Sequence, residues 1–362
     1  MIRIRRPLRR ALVLGPPTAW GAVAITYKLV CPAEQQGGLG ARILTSAVFF
    51  AVGTGLILHV RRTLLHELRQ VRRVARAAQS VLLRPLPPRV DGLNTAAAQL
   101  SADRAACVGG DLYEVVGTEH GVRVVMGDVR GHGLAALGTV AALLGSFREA
   151  AHDEPDLGRV LRRLDRAMAR HLRERSRWEH PSSGAAPADS PVAEEFVTLL
   201  LLEIHRDGRL LALNCGHPWP YRLAGPTVTS LSRADPLPPL GPFPLPPDLP
   251  PLPCGDFLPG ESLVLYTDGA EDARDNRGRF FDLRHTLAKL TGSHPQAILR
   301  TVLEALLSHT KGRTTDDIAL LVLRNDRTGP RCMPLGARDA DISGSAARAR
   351  ATTTHPQPTN HL

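Results

Sequence analysis

The sequence predicts a layered α+β domain that follows two membrane-spanning helices. From about Val90 onward, short apolar runs of strand length alternate with longer stretches of helical periodicity, which is typical of helices packed on strands. Ahead of that region lie two apolar segments, each close to the ~20 residues that a membrane helix needs. These observations divide the chain into a membrane hairpin (1–62), a linker helix (63–88), an α+β domain (89–326) and a disordered tail (327–362).

The predicted membrane helices are Ala11–Val30 and Ile43–Val60. Five arginines lie in Met1–Arg10, and Arg61 and Arg62 follow the second segment. Because cytoplasmic flanks carry the excess of Lys and Arg, both outer ends are expected in the cytoplasm. The pattern therefore predicts a multi-pass protein of the cell membrane, in contact with lipid, whose α+β domain is cytoplasmic. A cleaved signal peptide is the alternative for the first segment, but no small-x-small cleavage site stands out.

The linker helix carries an apolar seam with alternating spacings of four and three. Its members are Leu64, Leu68, Val71, Ala75, Ala78 and Leu82. The seam indicates either a homodimer through a parallel coiled coil or a single amphipathic helix that packs on the next domain. The prolines of Arg84–Pro88 end the helix, since proline has no amide hydrogen to donate.

Within the domain, apolar patterning and turn residues predict six strands and four helices. The strands are Ala106–Val116, Gly121–Gly127, Phe196–Ile204, Arg209–Cys215, Ser262–Tyr266 and Ile318–Leu323. The helices are Leu134–Ala150, Leu157–Arg175, Asp282–Thr291 and Pro295–Ser308. Two stretches rich in proline are predicted to be loops, Pro181–Pro191 and Pro236–Pro253.

Composition limits the function classes. The five cysteines are scattered singly with no Cys-x-x-Cys pair, which argues against a zinc site or a disulfide framework. The formal charge of +10 could indicate nucleic acid binding, but much of the basic excess flanks the apolar segments. Membrane topology accounts for those arginines, so no nucleic acid partner is predicted.

Acidic residues stand at the end or start of four apolar strands: Asp111, Asp128, Asp268 and the pair Asp316-Asp317. One Asp-Gly turn is ordinarily only a turn. Four such sites on adjacent strands of one sheet would gather carboxylates at a single edge, where repulsion is costly unless cations lie between them. Oxygen ligands without a His/Cys cluster suit Mg²⁺ or Mn²⁺, and two such ions can activate a water for phosphoryl transfer.

Six ordered motifs between about Ala78 and Arg324 resemble the metal-dependent protein phosphatases (PPM, type 2C), in their bacterial SpoIIE-like branch. They are Gln79–Pro88, Val108–Tyr113, Gly127–Gly133, Asn214–Pro218, Tyr266–Glu271 and Thr315–Ile318. The resemblance implies a four-layer α/β/β/α sandwich with antiparallel sheets. It also implies a serine/threonine protein phosphatase that acts on a regulatory phosphoprotein, such as an anti-sigma factor antagonist.

The same resemblance implies roles for individual residues around two Mn²⁺ or Mg²⁺ ions. Asp128 would bridge both metals, with the carbonyl of Val129 completing one coordination shell. Asp111 would bind one metal, while Asp268 and Asp316 would bind the other. A bridging hydroxide would then attack the phosphorus directly, without a phosphoenzyme.

Three further residues are expected beside the ligands rather than among them. Asp317 stands where many relatives have asparagine, and His132 and His217 are flanked by glycine and are expected to satisfy turn backbone groups. The sequence departs from the family at Glu114, where aspartate is usual, and at Cys215, where alanine is usual. No equivalent of the phosphate-holding arginine of larger relatives can be assigned.

Two features of the sequence raise alternatives to a phosphatase. A non-catalytic signalling scaffold of the same fold is opposed by the presence of all four expected carboxylates. A nucleotide cyclase is suggested by Gly109-Gly110-Asp111, but that motif requires Glu-Phe next, and Leu112-Tyr113 follows here.

Overall fold

A computed structural model describes residues 20–21, 26, 39–100, 109–131, 134–179, 195–314 and 316–327. The first long element is helix α1, Leu39–Leu82, which runs for 44 residues or ~66 Å. It contains both the second predicted membrane segment and the predicted linker. The expected division at residue 62 therefore falls inside one continuous helix.

Helix α1 holds the segment Ser46–His66, which is long and apolar enough to cross a membrane, with a mean hydropathy of 1.4 and none of it buried in the protein. It is the one such segment among the described residues. The first predicted span, Ala11–Val30, lies outside the described residues except at three positions, so the two-helix hairpin stays a prediction. The side chains of residues 67–80 also lie outside the description, and the dimer seam is likewise untested.

The remaining elements form two antiparallel sheets and two helical pairs. The strands are β1 (Arg89–Val90), β2 (Leu93–Leu100), β3 (Asp111–Thr118), β4 (Gly121–Val129), β5 (Val197–Ile204), β6 (Arg209–Cys215), β7 (Tyr221–Ala224), β8 (Thr227–Ser230), β9 (Leu252–Asp256), β10 (Ser262–Tyr266) and β11 (Ile318–Asn325). The helices are α2 (Leu134–Asp153), α3 (Leu157–Glu179), α4 (Leu283–Ala288) and α5 (Pro295–Thr310).

One sheet has the strand order β1-β2-β11-β10-β7-β8, and we call it sheet A. The other, sheet B, has the order β3-β4-β5-β6-β9. All strand pairs within both sheets are antiparallel. The α+β class predicted from the sequence is therefore confirmed.

Alternation along the strands produces three apolar cores in four layers, because successive side chains point to opposite faces of a sheet. The core between the sheets contains Val124, Leu200, Leu265 and Leu321, together with other side chains that point to the same face of their strands. Their neighbours in β4 and β5 turn the other way, toward α2 and α3. Those of β10 and β11 turn toward α4 and α5. This is the α/β/β/α sandwich that the family resemblance implied.

Element boundaries differ from the sequence-based ones in ways that matter for the site. Strand β4 continues to Val129, so Asp128 lies inside a strand, paired with Asp111 and Thr198, and not in a turn after it. Strands β2, β7 and β8 were not identified from the sequence. The proline-rich stretch 236–253 is largely loop as predicted, although β9 begins within it at Leu252.

The end of α1 is attached to the α2 and α3 layer. Arg148 of α2 donates a hydrogen bond to the carbonyl oxygen of Leu82 at 2.7 Å and forms an ion pair with Glu114 of β3 at 2.5 Å. Leu83 packs against the core that α2 and α3 share with sheet B. The unusual Glu114 therefore has a structural partner that also fixes where the long helix joins the domain.

A buried ion pair connects sheet B to the α2–α3 turn. Arg123 of β4 is fully buried and lies opposite Glu203 of β5, with Nε 2.7 Å from the carboxylate. Its other guanidinium nitrogens donate to the carbonyl oxygens of Ala151, Glu154 and Pro155. Every face of the charge is thus hydrogen-bonded, which is the condition under which a buried ion is tolerated.

Replacing this arginine is expected to destabilise the protein strongly. In Arg123→Ala, Glu203 would stay buried without its main partner, and the carbonyls of the α2–α3 turn would lose their donors. We expect the free energy of unfolding to fall by about 3–5 kcal/mol. Denaturant unfolding of the detergent-solubilised chain measures this.

The matched control is Arg209→Ala, which removes an exposed arginine paired at 3.8 Å with the exposed Asp207. Surface pairs contribute little, so a change below about 1 kcal/mol is expected. Equal losses in the two variants would contradict the role given to Arg123.

Candidate metal centre

The predicted acidic residues meet where sheets A and B approach each other at one end of the sandwich. Asp111 is the first residue of β3 and lies directly opposite Asp128 of β4, in sheet B. Asp268 begins a short 3₁₀ turn after β10, and Asp316-Asp317 precede β11, in sheet A. The expectation that these residues share one sheet edge is wrong, because two adjacent strands of each sheet contribute them.

Glycines allow this approach, because a side chain at any of three positions would collide with the site. A Cβ on Gly110 would lie 2.2 Å from the carbonyl oxygen of Val129 and 2.8 Å from Oδ1 of Asp128. A Cβ on Gly109 would lie 2.5 Å from Oδ2 of Asp317, and one on Gly269 would lie 2.1 Å from the carbonyl oxygen of Asp317. Of the three contacts, the one at Gly109 joins the two sheets, whereas those at Gly110 and Gly269 lie between neighbouring strands of sheet B and of sheet A.

Asp111 is the most buried of the acids, with 1% of its surface exposed. Burial, and then the charges of Asp128, Asp317 and Asp316, raise the pKa of its carboxyl well above the ordinary value, although a hydrogen bond with Thr267 opposes the shift. Its Oδ2 atom is buried and has no hydrogen-bond partner among the described residues. Such an oxygen is unfavourable unless a proton or a cation compensates it.

Asp128 and Asp268 share this electrostatic situation. Burial, followed by the charges of Asp268, Asp316 and Asp317, raises the pKa of Asp128 to about 7. Burial and the charge of Asp316 raise the pKa of Asp268, although its side chain is exposed and hydrogen bonds from backbone amides oppose the shift. The carboxylates of both sheets are therefore close enough to repel one another.

The donor set fits hard divalent cations. Asp111 supplies an unpaired buried oxygen, Gly110 leaves the Val129 carbonyl open, and every candidate ligand is oxygen. Among the described residues, no three Asp, Glu, His or Cys side chains are drawn together tightly enough to surround an ion as they stand. Binding would therefore require the carboxylates to close inward, which a cation favours by removing their repulsion.

His217, one of the two histidines expected beside the ligands, does not join the carboxylates. His217 is 3% exposed, and burial lowers its pKa to about 3, so it is neutral. Its Nδ1 lies 3.0 Å from the hydroxyl of Thr198, and its backbone exchanges two hydrogen bonds with the Asn214 side chain. This geometry supports the structural role expected for it, one residue away from Asp128 through Thr198. His132 lies outside the described residues.

Thr267 is a site residue that sequence reasoning did not single out. It is fully buried, its hydroxyl accepts a hydrogen bond from the Ala319 amide at 2.8 Å, and it also bonds to Asp111. The hydroxyl thus joins β11 of sheet A to the first residue of β3 in sheet B. The sequence signal was its position beside Asp268, which does not reveal a contact across the sandwich.

Part of the chain matches a known protein family. The family model described as Stage II sporulation protein E (SpoIIE) matches residues 118–326, more than half of the chain. Asp128, Asp268 and Asp316 lie inside the matched range, whereas Asp111 precedes it. Curated protein sequences give no match.

Two solved structures share the fold. The PP2C domain of SiaA from Pseudomonas aeruginosa is 17% identical with a TM-score of 0.53, covering 73% of this chain and 98% of that one. The RsbU and RsbW domains of a Mycobacterium tuberculosis protein are 22% identical with a TM-score of 0.50, covering 66% of this chain. The match spans 61% of the length of that second structure.

Filling the Gly110 position is expected to remove metal binding. In Gly110→Ala the new methyl would occupy the space beside the Val129 carbonyl and Asp128, so neither oxygen could turn toward an ion. We expect the Mn²⁺-induced rise in melting temperature to disappear, and titration calorimetry to show at least tenfold weaker binding.

Gly145→Ala is the matched control, because a Cβ at this position of α2 meets nothing within 4 Å. It should keep Mn²⁺ binding and gain about 0.5–1 kcal/mol of stability from higher helix propensity. Normal Mn²⁺ binding by Gly110→Ala would contradict the site.

Metal removal is expected to make stability depend on pH. A carboxyl whose pKa is raised in the folded state stabilises the fold below its unfolded pKa near 3.8, and that stability is lost as the pH rises through the folded value, about 7 for Asp128. The loss for Asp128 is at most ~4 kcal/mol. In EDTA the melting temperature should therefore fall between pH 5 and pH 8.

Saturating Mg²⁺ should flatten this dependence, because the cation replaces the proton as the compensating charge. Asp128→Asn should reduce the dependence in EDTA, because one of the carboxyls with a raised pKa is then absent. A melting temperature that rises over the same interval in EDTA would contradict the carboxylate cluster.

Proposed function

The chain belongs to the SpoIIE family of PP2C-type serine/threonine protein phosphatases, and we propose that it is a membrane-anchored, metal-dependent enzyme that hydrolyses phosphoserine or phosphothreonine on a regulatory protein. The observation that supports the proposal is that Asp111 and Asp128 of sheet B lie close enough to Asp268 and Asp316 of sheet A for the charges of the two sheets to interact. Such a concentration of acid, with Asp111 buried and Asp128 partly buried, is costly for a purely structural corner.

The residue roles follow from position. Asp128 lies between the carboxylates of the two sheets, so it is suited to bridge two ions, with the Val129 carbonyl beside it. Asp111 would serve one ion, and Asp268 and Asp316 the other. Two Mn²⁺ or Mg²⁺ ions bound there would supply an activated water and neutralise charge on the phosphoryl oxygens.

Side chains around the ligands hold them in place. Oδ2 of Asp317 lies against Gly109. The backbone amide of Asp317 donates a hydrogen bond to the carboxylate of Asp316 at 2.8 Å, so Asp317 orients this neighbouring ligand. Thr267 does the same for Asp111. The neutral His217 secures the strand next to Asp128 through Thr198, and we assign it no proton transfer.

The exposure of the site supports a protein substrate. Asp111 is buried, but Asp268 and Asp316 are exposed at the surface of the domain. A phosphate presented on a protein segment can therefore reach the exposed acids without entering a deep pocket. For the substrate we propose a regulatory phosphoprotein of the anti-sigma factor antagonist type, which the resemblance to the SpoIIE-like phosphatases implies.

The anchor we propose is the segment Ser46–His66 of α1, with the enzyme on the cytoplasmic side. The helix continues to Leu82 and would carry the domain ~24 Å beyond the last residue of that segment. Its apolar seam supports a second proposal, that two chains pair through this part of the helix.

Removing single carboxylates tests the chemistry. Full-length chain in detergent should hydrolyse a phosphoserine peptide only with added Mn²⁺ or Mg²⁺. Asp128→Asn and Asp268→Asn keep size and shape but remove charge, so we expect each to lower kcat by at least ~100-fold and to weaken metal binding.

The control is Asp235→Asn, an exposed aspartate in the loop that follows β8. It should match the wild type in rate and in metal dependence. Undiminished activity in both site variants would overturn the proposal. Absence of metal-dependent turnover in the wild type, together with tight binding of a phosphoprotein, would instead favour a non-catalytic scaffold.

A further inference from the structure

Helix α3 carries a straight ridge of arginines on its outer face. Between Leu157 and Glu179 it has eight arginines and three acidic residues. Six arginines recur at spacings of four and three, which places them on one face of a helix. They are Arg159, Arg163, Arg166, Arg170, Arg173 and Arg177. The opposite face, with Val160, Leu164 and Met168, is buried against sheet B.

Ion pairs neutralise only the N-terminal part of this row of arginines. Acidic residues of the α2–α3 turn pair with Arg159 and Arg163 at 3.1–3.5 Å. The next four, Arg166, Arg170, Arg173 and Arg177, are exposed and have no ion-pair partner among the described residues. We call these four the arginine ridge. It extends ~17 Å along the helix.

A polar cleft runs beside the ridge, between α2 and α3, with a volume of about 500 Å³. Arg166 and Arg170 line it from one side, and Glu149 and Glu174 are the acids that face it. His171 also lines the cleft, and its Nε2 is buried with no partner among the described residues. The cleft thus offers room and hydrogen-bonding groups for an anionic headgroup next to four unpaired cations.

The chemistry of the ridge favours a lipid surface over a protein. Specific protein interfaces depend on a few large aromatic or aliphatic anchors. Among the described side chains of α3, none of the exposed ones is a large hydrophobic residue. A row of arginines without anchors suits a sequence-independent layer of phosphate groups.

The position of α3 in the molecule points to the same partner. The end of α1 is attached to the α2 and α3 layer through the Arg148–Leu82 hydrogen bond and through Leu83. The α4 and α5 layer lies on the far side of both sheets. Of the two helical layers, the one with the arginine ridge is therefore the one joined to the membrane helix.

We propose that the arginine ridge is a second membrane contact, which binds the anionic lipid headgroups of the bilayer that α1 enters. The inference rests on the proposed membrane anchoring but not on catalysis. For the ridge to reach the headgroups, the ~24 Å of α1 beyond Ser46–His66 must lean toward the bilayer surface, and the ridge would then hold one face of the domain against the membrane. Anionic lipid content would then determine how the metal centre is presented to a protein substrate.

The test uses full-length chain reconstituted into lipid nanodiscs. Modification of arginines by phenylglyoxal, read by mass spectrometry, is compared between phosphatidylcholine discs and discs with 30% phosphatidylglycerol. Modification of Arg166, Arg170 and Arg173 should slow severalfold with phosphatidylglycerol and recover in high salt, since exposed charges are then screened. Arg300, exposed on α5, should not change.

Variants identify the ridge as the cause. Replacing Arg166, Arg170 and Arg173 together by Gln should abolish the protection of Arg177 in discs with phosphatidylglycerol. We expect each lost arginine to weaken lipid association about fivefold. Arg300→Gln is the matched control and should keep the protection of Arg177. Unchanged phosphatase activity of the triple variant in lipid-free detergent shows that it is folded.

Three outcomes decide the matter against the proposal. Equal modification rates in both kinds of disc would overturn it. Protection by added poly-glutamate in phosphatidylcholine discs, without protection by phosphatidylglycerol, would assign the ridge to an acidic protein. Extraction of the chain by alkaline carbonate would remove the anchoring on which the inference rests. Absence of metal-dependent turnover would contradict the proposed phosphatase activity but not the membrane contact, because the labelling pattern does not depend on turnover.

Discussion

Mutual repulsion among carboxylates governs this structure more than any single attraction. Asp111 and Asp128 come from one sheet, Asp268 and Asp316 from the other, and burial raises the pKa of the innermost groups. Without counter-charge the two sheets would be driven apart at this end of the sandwich. Metal ions would convert that repulsion into a bond between the sheets, so binding and folding of this corner are expected to be coupled.

Apolar packing in the sandwich supplies the stability that the acidic end of the molecule lacks. Apolar side chains of uniform parity fill the space between the sheets, and the outer faces are covered by helices. This packing holds sheet A against sheet B, and the lack of a side chain at Gly109, Gly110 and Gly269 leaves room for the oxygen atoms of Asp128, Val129 and Asp317. The apolar core therefore offsets the electrostatic cost of an arrangement that is useful only when cations are bound.

Helices α2 and α3 connect the anchor, the sheet and the surface charge. Arg148 joins the end of α1 to Glu114, three residues after Asp111 in the same strand. Arg123 ties the α2–α3 turn to β4, the strand that holds Asp128. A change in how this layer lies on the membrane could thus reach both sheet B ligands through short, hydrogen-bonded links.

The sequence by itself determined the class of fold, the helices after β4 and the identity of the acids, because strand and helix periodicity and Asp-Gly spacing are local properties. It placed Asp128 just after its strand and the acids on one sheet, and it did not identify Thr267 or the strands β2, β7 and β8. Only the tertiary structure decided that two sheets share the site, that Glu114 pairs with Arg148 and that α1 is continuous. These features depend on contacts between residues far apart in the chain, which arise from packing of whole layers and leave no periodic trace in the sequence.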